Sequence, residues 1–417
     1  MNSKFSLEDL LSRRDRGTEA WWQAVAQQGT PLQRELANGE IQLSFLWRDP
    51  EGSAAQSDYQ RVYLDIYSHT PHPTEQLTSM DRLGDSDIWF WQTQLPGDWC
   101  GSYFLMPAKS HQLPPADDRK AIRRWWIGLM ATNAQADALN PLPGHNNGSG
   151  VALSRIELPQ ANIHPLWQIP IADHQGHLQS LRWCSESLHN ARDIWVYSTA
   201  SSTEQADLPL VIMLDGHYWA RHMPIFSHLD GFTASGELAP AVYIFVDAIN
   251  HSIRAEELTC NADFWLALQG ELLPQVFALQ AFTHNPARTL VVGQSFGGLA
   301  ALYAALHWPE RFAAVLSQSG SFWWPDTSAA AAEGLLTGDV LAGLGREKNL
   351  HITLQVGCYE TDMLGVNRAM RAALEIGGHR ISYREFRGGH DWICWRHELV
   401  SGLSQFFHSI PEGSNPA

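Results

Sequence analysis

Ser295 stands in the pentapeptide Gly293-Gln294-Ser295-Phe296-Gly297, after the apolar run TLVV and before GLAALYAAL. A serine hydroxyl attacks a carbonyl only when a base takes its proton. G-x-S-x-G between a strand and a helix is the pattern of a nucleophile elbow, a tight turn that lifts the hydroxyl clear of a sheet edge. Small residues must flank it, and Gly298 extends the small-residue stretch. The pentapeptide alone is weak, and the strand–turn–helix context is what makes it specific. The base expected with such a serine lies late in the chain. His390 follows Gly388-Gly389 directly after the strand-like ISYREF. The chain has 19 histidines, so position rather than residue type singles out His390; its rival His397 is expected within the next helix, facing outward. The acid precedes the His in this chain order. After HITLQVG come Glu360 and Asp362, and spacing gives Glu360 a modest edge. Ser295 with His390 alone, as a dyad, is the remaining alternative. The oxyanion formed at the carbonyl needs N–H donors. Phe296, at the start of the helix, is one. Gly216 or His217, in the loop after PLVIMLD, is the second, and Asp215 is expected to brace that loop.

Positioning such groups requires a mostly parallel sheet. PLVIMLD, AVYIFVD, TLVVG, FAAVLSQS, HITLQVG and ISYREF are strand-length runs that alternate with helical segments, including DFWLALQGELLPQVFALQAF, GGLAALYAALHWPERF and GVNRAMRAALEIGG. That alternation predicts βα units covered on both faces. LQSLRWCS and RDIWVYST predict an antiparallel pair ahead of them. The earlier region differs. LEDLLSRRDRGTEAWWQAVAQQG reads as helical. IQLSFLW, QRVYLDIYS, DIWFWQTQL and CGSYFLMP are short β-branched and aromatic runs separated by turn residues, which predicts an antiparallel sandwich. RKAIRRWWIGLMAT reads as a helix and DALNPLPGHNNGSG as a loop. The expected fold is therefore a C-terminal α/β-hydrolase domain over residues 166–411, preceded by a β-sandwich-like domain over 1–165, with a disordered tail at 412–417.

Bulk properties narrow the partners. The chain has 417 residues, 44% of them hydrophobic and 17% charged, the balance of a globular protein. A net charge of −16 argues against nucleic acid or an anionic membrane, which need a positive field. Five scattered cysteines, without a CxxC pair, indicate neither a disulfide framework nor a zinc site. The N-terminal stretch lacks an apolar signal-peptide core, and no run is long enough for a membrane span. The reading is a cytoplasmic protein with no metal or cofactor. Eighteen tryptophans serve mainly as packing, with a few available to line an aromatic-rich pocket.

Longer motifs sharpen this. FLWRDPEG, DIWFWQTQLPGDWCGSYFLMP and DALNPLP in the first region, and LDGHYWA, CNADFW, GQSFGGL, LSQSGSFWWP and GGHDWICWR in the second, resemble the enterochelin (enterobactin) esterases over nearly the whole chain. GQSFGGL together with CNADFW and GGHDWICWR is far more specific than G-x-S-x-G. The resemblance implies a serine esterase that opens the trilactone of a ferric catecholate siderophore, with Ser295, His390 and Glu360 as the triad. One departure is visible: the family commonly carries Glu-Pro where this chain has Glu360-Thr361, which keeps Asp362 in play as the acid. A substrate that is anionic and aromatic calls for arginine and aromatic contacts. Arg254 lies at a strand end and Trp219, Trp323, Trp392 and Arg396 lie in or near the catalytic segments, so these are the expected substrate contacts; for Arg254 an ion pair with Glu256 or Glu257 is the competing role, and for the tryptophans packing. Related catecholate siderophores, glucosylated or linear, feruloyl esters, and a non-catalytic siderophore binder are the alternatives. Oligomeric state is not legible.

Overall fold

The computed structural model describes residues 5–116, 118–148, 150–169, 173–200, 207–325 and 334–410. The chain divides into two compact units. One is Met1–Asn162 together with Arg387–Cys394; the other is Ile163–Phe386 with Trp395–Ala417.

In the first unit, the single helical pattern expected near the N-terminus is two helices, Leu7–Ser12 and Glu19–Gln28. Ser6 caps the first through Asp9, and Thr18 caps the second. Gly17, at φ 79°, turns the chain between them. A new N-cap at Thr18, midway through the pattern, outweighs continuing apolar periodicity, because the first amides of each helix need an acceptor. The strands are β1 (Leu32–Glu35), β2 (Glu40–Arg48), β3 (Tyr59–Ile66), β4 (Asp81–Arg82), β5 (Ile88–Pro96), β6 (Cys100–Lys109), β7 (His145–Asn146) and β8 (Ala152–Glu157). They form two antiparallel sheets, ordered β1-β2-β5-β4 and β3-β6-β8-β7. Rings join the two: Phe45 of β2 meets Tyr103 of β6 edge-on at 5.0 Å, and Trp47 meets Tyr59 at 5.4 Å. The sandwich reading therefore describes this unit well. The helix Arg119–Asn133 covers β3 and β6 through Trp126 and Leu129. The expected loop at DALNPLPGHNNGSG also supplies β7.

The second unit holds one eight-stranded sheet. Its strands are β9 (His177–Ser185), β10 (Asn190–Ser198), β11 (Leu210–Met213), β12 (Val242–Val246), β13 (Thr289–Gln294), β14 (Ala314–Gln318), β15 (His351–Gly357) and β16 (Ile381–Phe386). The order is β16-β15-β14-β13-β11-β12-β10-β9. The β9–β10 and β10–β12 pairs are antiparallel and the rest parallel. The central strands are buried along their whole length, as a sheet covered on both faces demands. The helix Phe296–His307 is buried from Gly297 to Leu306. A helix apolar all round belongs inside a core, and this one packs on β13 and β14. This is the esterase, α/β-hydrolase-type fold. Within the expected span 166–411, Arg387–Cys394 groups with the first compact unit. The tail at 412–417 lies outside the described residues. Among the described residues no helix is long and apolar enough to cross a membrane.

Candidate active site

Ser295 links β13 to the helix Phe296–His307 with φ 58° and ψ −118°. A side chain at positive φ costs about 1–3 kcal/mol and persists only where the surroundings impose it. Three contacts impose it here. The Ser295 amide donates to the Gln318 carbonyl at 3.0 Å, and its own carbonyl accepts from the amides of Leu299 (3.1 Å) and Ser321 (3.0 Å). The flanking glycines are obligatory. A Cβ on Gly293 would lie 2.1 Å from the Gly297 carbonyl oxygen, and one on Gly298 2.6 Å from Ser317 Oγ. Phe296 is the first residue of the helix, whose opening amides have no intrahelical acceptor.

Asp215 braces the neighbouring loop, as expected, and Arg254 is the means. Nε and Nη2 of Arg254 donate to the two Asp215 oxygens at 2.6 and 2.7 Å, and Nη2 also reaches the Gln294 carbonyl at 3.1 Å. Glu257 is taken by Arg192, so neither glutamate beside Arg254 is its partner. The Asp215 ion pair raises the Arg254 guanidinium further against the lowering effect of burial. The Arg254 guanidinium thus ties the residue before the nucleophile to the loop of Gly216 and His217. Gly216 has no room for a Cβ, which would fall 2.3 Å from the Phe245 carbonyl carbon. His217 Nδ1 lies 3.2 Å from Asp247 Oδ1.

Glu360 and Asp362 separate clearly. Glu360 is buried at 4% exposure, and its Oε1 accepts from Ser319 Oγ (2.6 Å) and the Gly357 amide (2.8 Å). Ser319 Oγ in turn accepts from Trp395 Nε1 at 2.9 Å. Asp362 is exposed in the first turn of the helix Thr361–Ile376. His390 is half-buried, with its amide on Ser68 Oγ at 2.9 Å. The adjacent Asp391 is fully buried, and burial pushes its carboxyl up to about 6 even though Ile393 and Ser102 donate to it. His397 is buried at the Arg396 guanidinium, not outward-facing.

The expected aromatic and cationic contacts divide. Trp323 is half-buried and its ring lies 5.7 Å from that of Phe296, so it does stand beside the elbow. Trp392 is half-buried at the start of the helix Trp392–Ser409. Trp219 is a correction: it has no exposed surface and is core packing. Arg396 is another, since it is 6% exposed with its guanidinium 5.3 Å over the Trp167 ring. A buried cation stacked on an indole gains from that ring and has little surface left for an anion.

Sequence reasoning missed three features. Ser321 places its Oγ 3.2 Å from Ser295 Oγ. Ser319 supports Glu360. Gln294, Gln318 and Gln355, register partners on β13, β14 and β15, form a buried ladder: Gln294 donates to Gln318 at 2.9 Å and Gln318 to Gln355 at 2.8 Å. The ladder continues to the carbonyls of Trp395 and Glu398. A glutamine near the end of three successive apolar strands was the available signal.

Known proteins resemble this chain in both regions. The esterase family model matches residues 185–406, and the model for the enterochelin esterase N-terminal domain matches 42–167. The iron(III) enterobactin esterase of Dickeya dadantii is 43% identical over 413 residues, 94% of each chain. That of Escherichia coli K12 is 42% identical, over 94% of this chain and 97% of its own. A crystal structure of the Shigella flexneri enterobactin esterase in the presence of enterobactin superposes with TM-score 0.84 at 41% identity, covering 94% and 98% of the two chains. The Salmonella typhimurium ferric enterobactin esterase gives 0.86 at 38%, covering 94% and 99%. A strained serine between β13 and a buried helix, in a chain matched at this level almost end to end, places this protein in the enterochelin (iron(III) enterobactin) esterase family.

Proposed function

We propose that this protein hydrolyses the ester bonds of ferric enterobactin, a cyclic trilactone of dihydroxybenzoylserine, with Ser295 as nucleophile, His390 as base and Glu360 as the acid that orients it. The observation that carries the reading is the positive-φ backbone of Ser295 at the end of β13. His390 takes the Ser295 proton as Oγ attacks a lactone carbonyl. The N–H groups of Phe296 and of Gly216 or His217 stabilise the oxyanion. The intermediate expels the seryl alkoxide, which takes the proton from His390. Water then attacks the acyl-enzyme, giving its proton to His390, and Ser295 leaves reprotonated. Three such rounds give dihydroxybenzoylserine. Opening the ring removes the preorganisation of the catechols, so iron is held less tightly.

Burial and two donated hydrogen bonds favour Glu360 over the exposed Asp362 as the acid. Trp323 and Trp392 are the aromatic contacts we assign to the catechol rings. An unmodified enterobactin is favoured over a salmochelin-type substrate, because the Escherichia coli iron(III) salmochelin esterase is 28% identical. We place the reaction in the cytoplasm, with no resident cofactor, nucleic acid or membrane partner. Mass spectrometry of ferric enterobactin after incubation tests the reading. Wild type should yield linear trimer, dimer and monomer while Ser295→Ala leaves the macrocycle intact. An intact macrocycle with wild type, or equal turnover by Ser295→Ala, would overturn it.

A further inference from the structure

The segment Arg387–Cys394 is fastened to the N-terminal unit at four places. Arg387 pairs with Asp98 at 2.7 Å. The His390 amide donates to Ser68 Oγ at 2.9 Å. Asp391 accepts from Ser102 twice, from Oγ on Oδ1 at 2.9 Å and from the backbone amide on Oδ2. Cys394 Sγ lies 3.3 Å from the Cys100 carbonyl. Cys100 and Ser102 are two residues apart at the start of β6, so a single strand end grips both sides of the turn.

Several details show that this fit is built. Ser68 holds φ 60°, a left-handed conformation rare for a side-chain-bearing residue. Gly389 leaves the space for it, since a Cβ there would sit 2.3 Å from Ser68 Oγ. Ser102 and Asp391 are at 0% and 1% exposure. Having given its one proton to Asp391, Ser102 Oγ accepts from His145 Nε2 at 2.8 Å, which extends the network to β7. Asp391 also accepts from the Ile393 amide at 3.1 Å, as an N-cap does for the helix that follows. The proposed mechanism gives Asp391 no chemical step. A buried carboxylate beside the base, receiving hydrogen bonds from Ser102 of a neighbouring strand and from Ile393 at the helix start, needs another role.

We propose that Asp391 and Ser102 are positioning residues for His390: the N-terminal sheet sets the direction of the imidazole by clamping the residue next to it. This rests on the assignment of His390 as the base.

Ser102→Ala and Asp391→Asn test this with two substrates, ferric enterobactin and p-nitrophenyl acetate, an ester too small to need siderophore contacts. Base positioning predicts a fall in kcat of about tenfold for Ser102→Ala and about a hundredfold for Asp391→Asn, the cost of an ångström-scale misplacement. KM should stay within about twofold, and the loss should be the same for both esters. In a His390→Ala background Ser102→Ala should cost nothing further, because groups acting through one side chain are not additive. Asp391→Asn keeps the side-chain volume, and a cooperative melt for each variant excludes unfolding as the cause. A loss confined to KM or to the siderophore would overturn the proposal, as would one that persists in full without His390. Full turnover by His390→Ala would instead strike down the base assignment, and the positioning role with it.

Discussion

The nucleophile and the proposed base are held in different ways. Ser295 is fixed by its own neighbourhood in the sequence: a buried strand, two glycines that admit no Cβ, and a buried helix, all within residues 289–307. His390 is fixed from afar. Its amide rests on a residue 322 positions earlier, and the carboxylate beside it on one 289 positions earlier. A strained turn can be encoded locally because strand and helix supply the restoring force. A loop after a last strand has no such frame and borrows one. Substitutions near Ser295 should therefore damage a local fold element, whereas those at Ser68 and Ser102 should leave folding intact and lower the rate.

The largest effect expected on the nucleophile side is from Ser295→Ala, a loss of about 10⁴–10⁶ in kcat by analogy with other triads, measured on ferric enterobactin. Gly293→Ala should abolish both activity and cooperative unfolding, since the methyl group meets backbone that cannot retreat; a folded, active Gly293→Ala would show the elbow to be looser than described. Glu360→Gln should lower kcat by about 10²–10⁴, whereas Asp362→Asn should change it by less than about twofold; reversed results would exchange the two acids.

How legible these regions were follows from the same contrast. The strand–turn–helix around Ser295 was readable because its glycines, its apolar run and its helix are contiguous. The loop position of His390 was readable from chain order, but its anchors were not: nothing about Ser68 or Ser102 in the sequence announces a partner some 300 residues away. Arg254, Trp219 and Arg396 were expected at the substrate because cations and indoles suit an anionic aromatic ligand. Packing took Trp219 into the core and Arg396 onto Trp167, while Arg254 is held by Asp215 with part of its surface still exposed. The grouping of Arg387–Cys394 with the N-terminal residues was equally hidden, because it joins segments about 300 residues apart in the sequence.

The smallest effect sharpens the comparison through pH. The Asp391 carboxyl is raised by burial from 3.8 to about 6. A group raised on folding adds stability that is fully present below its unfolded value and is lost as pH rises through the folded one. Urea unfolding should therefore show wild type losing about 1–1.5 kcal/mol relative to Asp391→Asn between pH 5 and pH 8. A constant difference would mean that Asp391 is better solvated than its surroundings imply.

Labelling with a fluorophosphonate followed by peptide mapping bears most directly on the central assignment, because Ser321 offers a second hydroxyl only 3.2 Å away. The adduct is predicted on Ser295 alone, formed much more slowly in His390→Ala and unchanged in Ser321→Ala. An adduct mapped to Ser321, or equal labelling of Ser295→Ala, would contradict it.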